Sequence, residues 1–233
     1  MTTDHVRASL ASRPDRSPPR LVPLAAVAIV ALACGDGRAA TGPSQQGGGQ
    51  PGDTSTSASL VFVRPEAAAP AIVPSAQFYA VKGQDRRVRL YYQPSDPAAA
   101  DTVEFMTFRV DKETLDRRPD GSAIATGDSV LITVTLRDAA NLVVDFAPSG
   151  LRFSAARPAR LHFNLALTDD DRNRDGTVNG SDDAVSQELL VWRQEAPDQP
   201  WVAQPSVLNL AEQQIETDVL GFTGYAVAYR KPK

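Results

Sequence analysis

The sequence predicts an all-β fold, an antiparallel β-sandwich, and three observations lead to this prediction. Apolar and polar residues alternate with a period of two in several runs, most clearly over residues 130–136. Clusters of Pro, Gly, Asp and Asn, such as 119–121 and 148–150, separate these runs as turns do. No run after residue 33 carries a helical stripe over three turns. Short strands between regular turns are typical of a sandwich.

The strands are predicted in chain order from the alternating runs. They fall at 60–63, 77–81, 88–92, 103–110, 130–136, 142–146, 161–167, 188–193, 214–219 and 225–229. Polar or Pro-rich segments at 94–101, 111–125 and 197–200 are predicted loops. Between the strands at 161–167 and 188–193, an acidic loop at 169–183 interrupts the pattern, and residues 182–189 leave room for one short helix.

Composition excludes several classes of function. The chain has 233 residues, a formal net charge of -4 and a sequence pI of about 5.2. A nucleic-acid binder needs a basic face that displaces counterions, so no nucleic-acid partner is expected. Two His residues make a histidine metal cluster or a multi-His active site unexpected, and the single Cys cannot form an internal disulfide.

The N-terminal residues predict export. Residues 21–33 form an apolar run that is too short to span a bilayer and fits the hydrophobic region of a signal peptide. The run ends in Ala33-Cys34-Gly35, which resembles a bacterial lipoprotein signal. The resemblance implies a lipoprotein signal peptide at 1–33, a lipid on Cys34, and a membrane anchor in the cell envelope. The alternative is an ordinary secretory signal with a leftover Cys.

A flexible tether and one folded domain are predicted after the signal. Residues 34–59 are rich in Gly, Ser, Thr, Gln and Pro and hold few apolar residues, so they cannot bury enough surface to fold. Residues 60–233 form the β-sandwich domain. Removal of residues 1–33 takes away four Arg and two Asp, which changes the net charge from -4 to -6. The lipid, and no polybasic patch, would therefore hold the protein on the membrane.

In residues 171–182, the spacing of the oxygen-bearing side chains indicates one particular kind of ion-binding site. Oxygen-bearing side chains stand at loop positions 1, 3, 5, 9 and 12, with Gly176 at position 6, as in a calcium loop of the EF-hand kind. The predicted Ca²⁺ ligands are Asp171, Asn173, Asp175, the carbonyl oxygen of Thr177, Asn179 and Asp182. Val178 is expected to pack inward. The alternative is a polar, exposed Asp/Asn/Gly turn.

With Asp rather than Glu at its last position, the loop resembles those of dockerin modules more than a cytosolic EF-hand. Dockerins carry two such loops, whereas this chain has one, so a single ion-binding connection within the β-domain is predicted. Outside the cell, calcium would be bound steadily, with a dissociation constant of about 10⁻⁴ to 10⁻³ M. Arg172 and Arg174 are expected to point away from the ion and to offset part of the acidic charge.

A second resemblance covers residues 105–229. The segments GDSVLITVTL, VDFAPSGLRF, PARL, LLVWRQE and GFTGYAVAY occur in an order that is similar to the ZU-type β-domain of zonula-occludens and netrin-receptor proteins. That family uses its fold mainly for protein interaction. The resemblance therefore implies a binding or structural module and no active site.

No catalytic motif is present, and the chain is predicted not to be an enzyme. The sequence lacks G-x-S-x-G, H-E-x-x-H and a phosphate-binding Gly loop. His162 is expected on the surface of a strand. The expected function is a non-catalytic, lipid-anchored envelope domain that binds a protein or a glycan at the surface. A purely structural envelope lipoprotein and an exported hydrolase are the alternatives. Trp192, Trp201, Tyr91 and Tyr92 are candidates for a sugar-stacking platform or, more simply, for packing.

Overall fold

The computed structural model describes residues 52–93 and 102–231, and in them two antiparallel sheets pack face to face. The predicted signal peptide, Cys34 and residues 35–51 of the predicted tether lie outside the described residues. The all-β sandwich predicted from the sequence is confirmed, with one short helix. None of the helices in the described ranges is long and apolar enough to cross a bilayer.

The strands of the described residues, in chain order, are β1 (Thr54–Ser55), β2 (Leu60–Phe62), β3 (Ser75–Val81), β4 (Arg86–Tyr91), β5 (Glu104–Val110), β6 (Leu115–Arg117), β7 (Ser129–Asp138), β8 (Val143–Ala147), β9 (Arg152–Phe153), β10 (Ala159–Asn164), β11 (Leu190–Gln194), β12 (Trp201–Ala203), β13 (Ser206–Asn209), β14 (Gln214–Val219) and β15 (Gly224–Arg230). A 3₁₀ turn spans Ser57–Ser59, and helix α1 spans Gly180–Ser186.

Sheet I holds eight strands in the order β1-β12-β11-β15-β8-β7-β3, with β2 paired to the end of β15. Sheet II holds five strands in the order β13-β14-β10-β5-β4. Strands β6 and β9 form a separate two-stranded ladder. Consecutive strands such as β7 and β8 pair as hairpins, but most neighbours in both sheets come from distant parts of the chain.

The main core lies between the two sheets. Alternate residues of each strand point into it, as the two-residue period requires. Its centre is a cluster of aromatic rings from both sheets and from the segments that join them, namely Phe108, Phe146, Phe153, Phe222 and Tyr225. The ring centroids of Phe108 and Phe146 are 4.8 Å apart. This packing is what holds one sheet on the other.

A second apolar cluster lies on the opposite face of sheet I. It consists of Leu60, Val143, Trp192, Trp201, Ala203, Ala226 and Ala228. Trp192 donates from Nε1 to the carbonyl of Ala228 at 3.0 Å, and Trp201 donates to Ser57 Oγ at 3.0 Å. Both indole rings are buried. They belong to this cluster and form no exposed sugar-stacking platform, and Tyr92 is buried as well.

The folded region begins earlier than the predicted boundary at residue 60. Gly52 donates to the carbonyl of Ala203 at 2.8 Å, and β1 pairs with β12. Ser57 accepts the hydrogen bond from Trp201 described above. The low apolar content of this segment gave no indication that it is part of the fold. Strand β1 joins the sheet through backbone hydrogen bonds, which do not depend on apolar side chains.

Candidate metal centre

The predicted calcium loop lies in the connection that leaves sheet II at the end of β10 and enters sheet I at β11. Helix α1 follows the loop directly and begins at Gly180, two residues earlier than the sequence predicts. All six predicted ligands therefore belong to one crossover between the sheets.

Asp171 organises the first half of the loop. Its Oδ1 accepts a hydrogen bond from the backbone N–H of Asp175 at 3.0 Å, and its Oδ2 accepts one from that of Gly176 at 2.9 Å. The chain reverses here through two residues of positive φ, Arg174 at 63° and Gly176 at 86°. A Cβ on Gly176 would meet nothing within 4 Å, so glycine is favoured at this position by its backbone conformation and not by lack of space.

Asn179 and Asp182 organise the second half. Asn179 is the N-cap of α1, and its Oδ1 accepts from the N–H of Ser181 at 2.8 Å. The two carboxylate oxygens of Asp182 accept from the N–H groups of Asn179 at 2.9 Å and Asn173 at 3.1 Å. The first of these completes a capping box, and the second joins the two halves of the loop. Asp182 is only 3% exposed, and these backbone N–H groups lower the pKa of its carboxyl.

The remaining ligand candidates are held by hydrogen bonds within the loop. Asn173 Nδ2 donates to Asp175 Oδ2 at 3.0 Å and to Ser181 Oγ at 2.6 Å, and Asn179 Nδ2 donates to the carbonyl of Thr177 at 3.0 Å. In residues 52–93 and 102–231, no three His, Cys, Asp or Glu side chains stand close enough together to hold a metal ion. The six candidate oxygen donors therefore lie in one short segment, but their carboxylates do not surround a common point.

The chemistry of this donor set fits calcium. Calcium takes six to eight oxygen ligands, including carbonyl and amide oxygens, and a carboxylate that accepts two hydrogen bonds keeps unused lone pairs. The amide of Asn173 would have to rotate so that its oxygen, and not its nitrogen, faces Asp175. The ion, once bound, would supply only a structural cross-link between the two halves of the loop.

The two arginines of the loop behave differently. Arg174 turns away from the carboxylates, as predicted, and its Nη2 donates to the carbonyl of Phe62 at 2.9 Å. The Arg172 side chain is only 8% exposed and lies 3.8 Å from Asp170, and its Nη1 has no hydrogen-bond partner among the described residues. Burial lowers the pKa of Arg172, while Asp170, Asp169 and Asp182 act in the opposite direction. Its charge therefore offsets part of the acidic charge of the loop.

Two further contacts anchor the loop to the sandwich, and the sequence does not reveal them. Tyr229 Oη on β15 donates to the carbonyl of Arg172 at 3.0 Å. Arg64, which follows β2, pairs with Asp169 through Nη2 at 2.6 Å. These partners are 57 and 105 residues apart in the chain. No local pattern can signal a pairing over such separations.

One detail predicted for the loop is wrong. Val178 at loop position 8 was expected to pack inward, but its side chain is 66% exposed. The contacts described between the loop and the sandwich are made by Asp169, Arg172 and Arg174, which precede position 8 in the chain.

His162 lies on the outer face of sheet II and is half-buried. Its Nδ1 is 3.7 Å from Glu104 Oε1, and the same carboxylate pairs with Arg89 Nε at 2.7 Å. Arg89, Glu104 and His162 come from three adjacent strands, β4, β5 and β10. This is a cross-strand polar cluster in which the ion pair of Arg89 and Glu104 helps to stabilise the sheet surface.

The lowered pKa of Asp182 predicts acid sensitivity. A group whose pKa is lower in the folded state stabilises the protein above its unfolded-state pKa of about 3.9, and the stabilisation disappears as the pH falls through the folded-state pKa. We expect Asp182→Asn to reduce the free energy of unfolding more at pH 6 than at pH 3, where the carboxyl is mostly protonated in the unfolded state. Urea unfolding at both pH values measures the difference.

The matched control for this experiment is Asp198→Asn, in an exposed turn. It is expected to change the free energy of unfolding by less than about 0.5 kcal/mol at either pH. An equal effect of Asp182→Asn at both pH values would contradict the prediction.

Comparison with family models, with curated proteins and with solved structures gives no match for this chain. The likeness of residues 171–182 to dockerin loops and that of residues 105–229 to the ZU-type domain stay predictions from the sequence.

Proposed function

We propose that this protein is a non-catalytic, lipid-anchored β-domain of the bacterial cell envelope that is stabilised by calcium at residues 171–182 and binds a glycan or a protein at the surface. The observation that carries the proposal is the backbone of the loop. Asp171 accepts two hydrogen bonds from positions 5 and 6, position 6 is a glycine of positive φ, and position 9 caps the following helix. An EF-hand loop likewise has ligands at positions 1 and 9 and needs a glycine at position 6 for its sharp turn.

The location of the loop supports a structural role for the ion. A calcium sensor needs a pair of helices that can open, whereas this loop is followed by one helix of seven residues and a strand. The loop joins the two sheets. An ion that binds both halves of the loop would hold the halves together and so oppose the unfolding of this connection. Calcium would thus act on stability and not as a switch.

The anchor rests on the sequence around Cys34. Since the fold begins by residue 52, residues 35–51 are left as the spacer between the lipid and the domain. Their Gly-, Ser- and Gln-rich composition is the basis on which the sequence predicts a tether between the lipid and the domain.

The surface favours a glycan over a protein as the partner. Large exposed hydrophobic side chains among the described residues lie on several different elements, and the cross-strand neighbours Tyr79 and Leu131 form the clearest pair. Protein-binding surfaces usually gather such residues into a contiguous patch. A polar groove on sheet I, described below, is the better candidate.

Calcium should raise the melting temperature. At 10 mM calcium, a dissociation constant of about 10⁻⁴ to 10⁻³ M corresponds to a stabilisation of about 1.4–2.7 kcal/mol. For a domain of this size the expected rise is about 3–10 °C. Asp171→Ala should abolish the rise, and it should cost about 1 kcal/mol even without calcium, because the N–H groups of Asp175 and Gly176 lose their acceptor. Thermal unfolding and titration calorimetry measure both effects.

Asp170→Ala is the matched control, because Asp170 is the exposed acidic neighbour of Asp171 and is not a predicted ligand. It should keep the response to calcium, and magnesium should produce little response in the parent protein. The absence of both binding heat and a rise in melting temperature at millimolar calcium would refute the calcium proposal.

A further inference from the structure

A groove of about 290 Å³ opens on the outer face of sheet I, away from the calcium loop. Its floor is a row of directly paired residues on four adjacent strands: Thr135 on β7, Asp145 on β8, Gly224 on β15 and Gln194 on β11. The neighbours of these residues along the strands, such as Val144 and Tyr225, point into the main core. Since side chains alternate across a strand, the row faces outward.

Gly224 allows two polar side chains beside the groove to lie directly on the sheet. A Cβ at this position would lie 2.9 Å from Asp145 Oδ1 and 3.3 Å from Arg137 Nη2. These two groups therefore occupy the space above Gly224, and any larger residue would push them out of their positions.

The polar groups around Gly224 are held in place by the fold. Gln194 is only 2% exposed, and its Nε2 donates to the carbonyls of Pro197 and Gln199 at 3.0 and 2.8 Å. Its Oε1 accepts from Arg137 Nη2 at 2.7 Å. This one amide thus fixes both the guanidinium on one side of the groove and the loop that forms its rim. Because these side chains are already held in place in the free protein, ligand binding would not have to spend free energy on ordering them.

Asp145 is the incompletely satisfied group. Its Oδ1 is buried and has no hydrogen-bond partner among the described residues, and the nearest cation, Arg137 Nη1, is 3.5 Å away. Burial raises the pKa of Asp145, and Arg137 acts in the opposite direction. The rest of the carboxylate remains partly exposed toward the groove. A ligand hydroxyl group could donate to this exposed part of the carboxylate, but not to the buried Oδ1.

The charges around the groove are balanced. Arg137 faces Asp145, and Glu195 at the rim is paired with Arg193. A charged ligand would gain little from such a site, whereas a neutral ligand that both donates and accepts hydrogen bonds would suit it. Hydroxyl groups do both, so one can donate to Asp145 while its neighbour accepts from Arg137.

The size of the groove limits the ligand further. A volume of about 290 Å³ is at the lower end of the range for small-molecule pockets, which starts at about 300 Å³. We infer that the groove around Arg137, Asp145, Gly224 and Gln194 binds one neutral sugar unit of a glycan through its adjacent hydroxyl groups. This inference rests on the surface-binding role proposed above and is independent of calcium.

The test is an NMR titration of the folded protein with glucose, galactose and N-acetylglucosamine, each added to tens of millimolar. At least one sugar is expected to shift the amide signals of residues that line the groove, such as Asp145 and Gly224. Gly224→Ala and Asp145→Asn should each weaken that binding by at least about tenfold, because the first displaces the side chains of Asp145 and Arg137 and the second removes the charged acceptor.

Gly180→Ala is the matched control, because a Cβ on Gly180 would meet nothing within 4 Å, and it should bind like the parent protein. No shift with any of the three sugars, or equal affinity in the parent protein and both groove variants, would overturn the inference. The titration is repeated with and without calcium. Sugar binding without calcium stabilisation would refute the calcium loop alone, and the converse would refute the groove alone.

Discussion

Phe108→Ala is expected to lower the free energy of unfolding by about 3–5 kcal/mol, which is one of the two largest effects of a single substitution predicted for this protein. Phe108 is fully buried on β5, and its ring contacts those of Phe146, Phe153 and Phe222. Removal of the ring leaves a cavity in the middle of the contact between the two sheets. The melting temperature should fall by roughly 6–20 °C, which calorimetry and urea unfolding measure.

Two variants make this prediction specific. Phe108→Leu retains most of the buried volume and should lose clearly less stability than Phe108→Ala. Val207→Ala alters a side chain on β13 that is 73% exposed, and it should change the stability by less than about 0.5 kcal/mol. If Phe108→Ala lost less than about 1 kcal/mol, Phe108 would not lie in the core between the sheets.

Trp192→Ala is expected to have an effect of the same size, about 3–5 kcal/mol, although Trp192 lies on the other face of sheet I. The indole is fully buried in the second apolar cluster, and its N–H is satisfied by the carbonyl of Ala228. Arg230 also stacks over the ring at 5.7 Å from its centroid. The substitution would remove one of the two indole rings of this cluster and leave the carbonyl of Ala228 without its donor.

Trp192→Phe separates packing from hydrogen bonding at this position. It retains an aromatic ring but loses the N–H, so it should be intermediate between the parent protein and Trp192→Ala. The intrinsic fluorescence of the remaining Trp201 reports whether the cluster stays closed. A loss below about 1 kcal/mol for Trp192→Ala would show that the outer face of sheet I has no second core.

Alternation along the chain allowed most strands to be predicted. The predicted strand at 214–219 coincides with β14, and the run at 130–136 lies within β7. Each of these segments shows a period of two because one of its faces is buried. The one short helix is also confirmed, and its position follows from the N-cap at Asn179.

The short strands were missed because their stability comes from partners and not from their own residues. Strands β12 and β13, at 201–203 and 206–209, are separated by Gln204 and Pro205 and have no extended alternation. Strand β1 has two residues and is ordered by backbone pairing with β12, which is more than 140 residues away. No local propensity carries information about such pairing.

The two candidate sites also differ in how far they can be predicted from the sequence. The ligand spacing of 171–182 is local, so it can be read directly from the chain. The groove around Gly224 combines residues from four strands that span positions 135–224, and each of them looks ordinary in its own segment. Only the register of the strands brings Arg137, Asp145 and Gln194 around one glycine.

By itself, the sequence determined that the protein is a β-sandwich and where its oxygen-rich loop lies, because both follow from the order of residues within one segment. The tertiary structure decided which strands share a sheet and that sheet I buries apolar side chains on both of its faces. It also decided that the loop joins the two sheets and that the hydroxyl of Tyr229 donates a hydrogen bond to the loop. These features depend on contacts between residues far apart in the chain. Such contacts contribute to stability only once the sheets have formed.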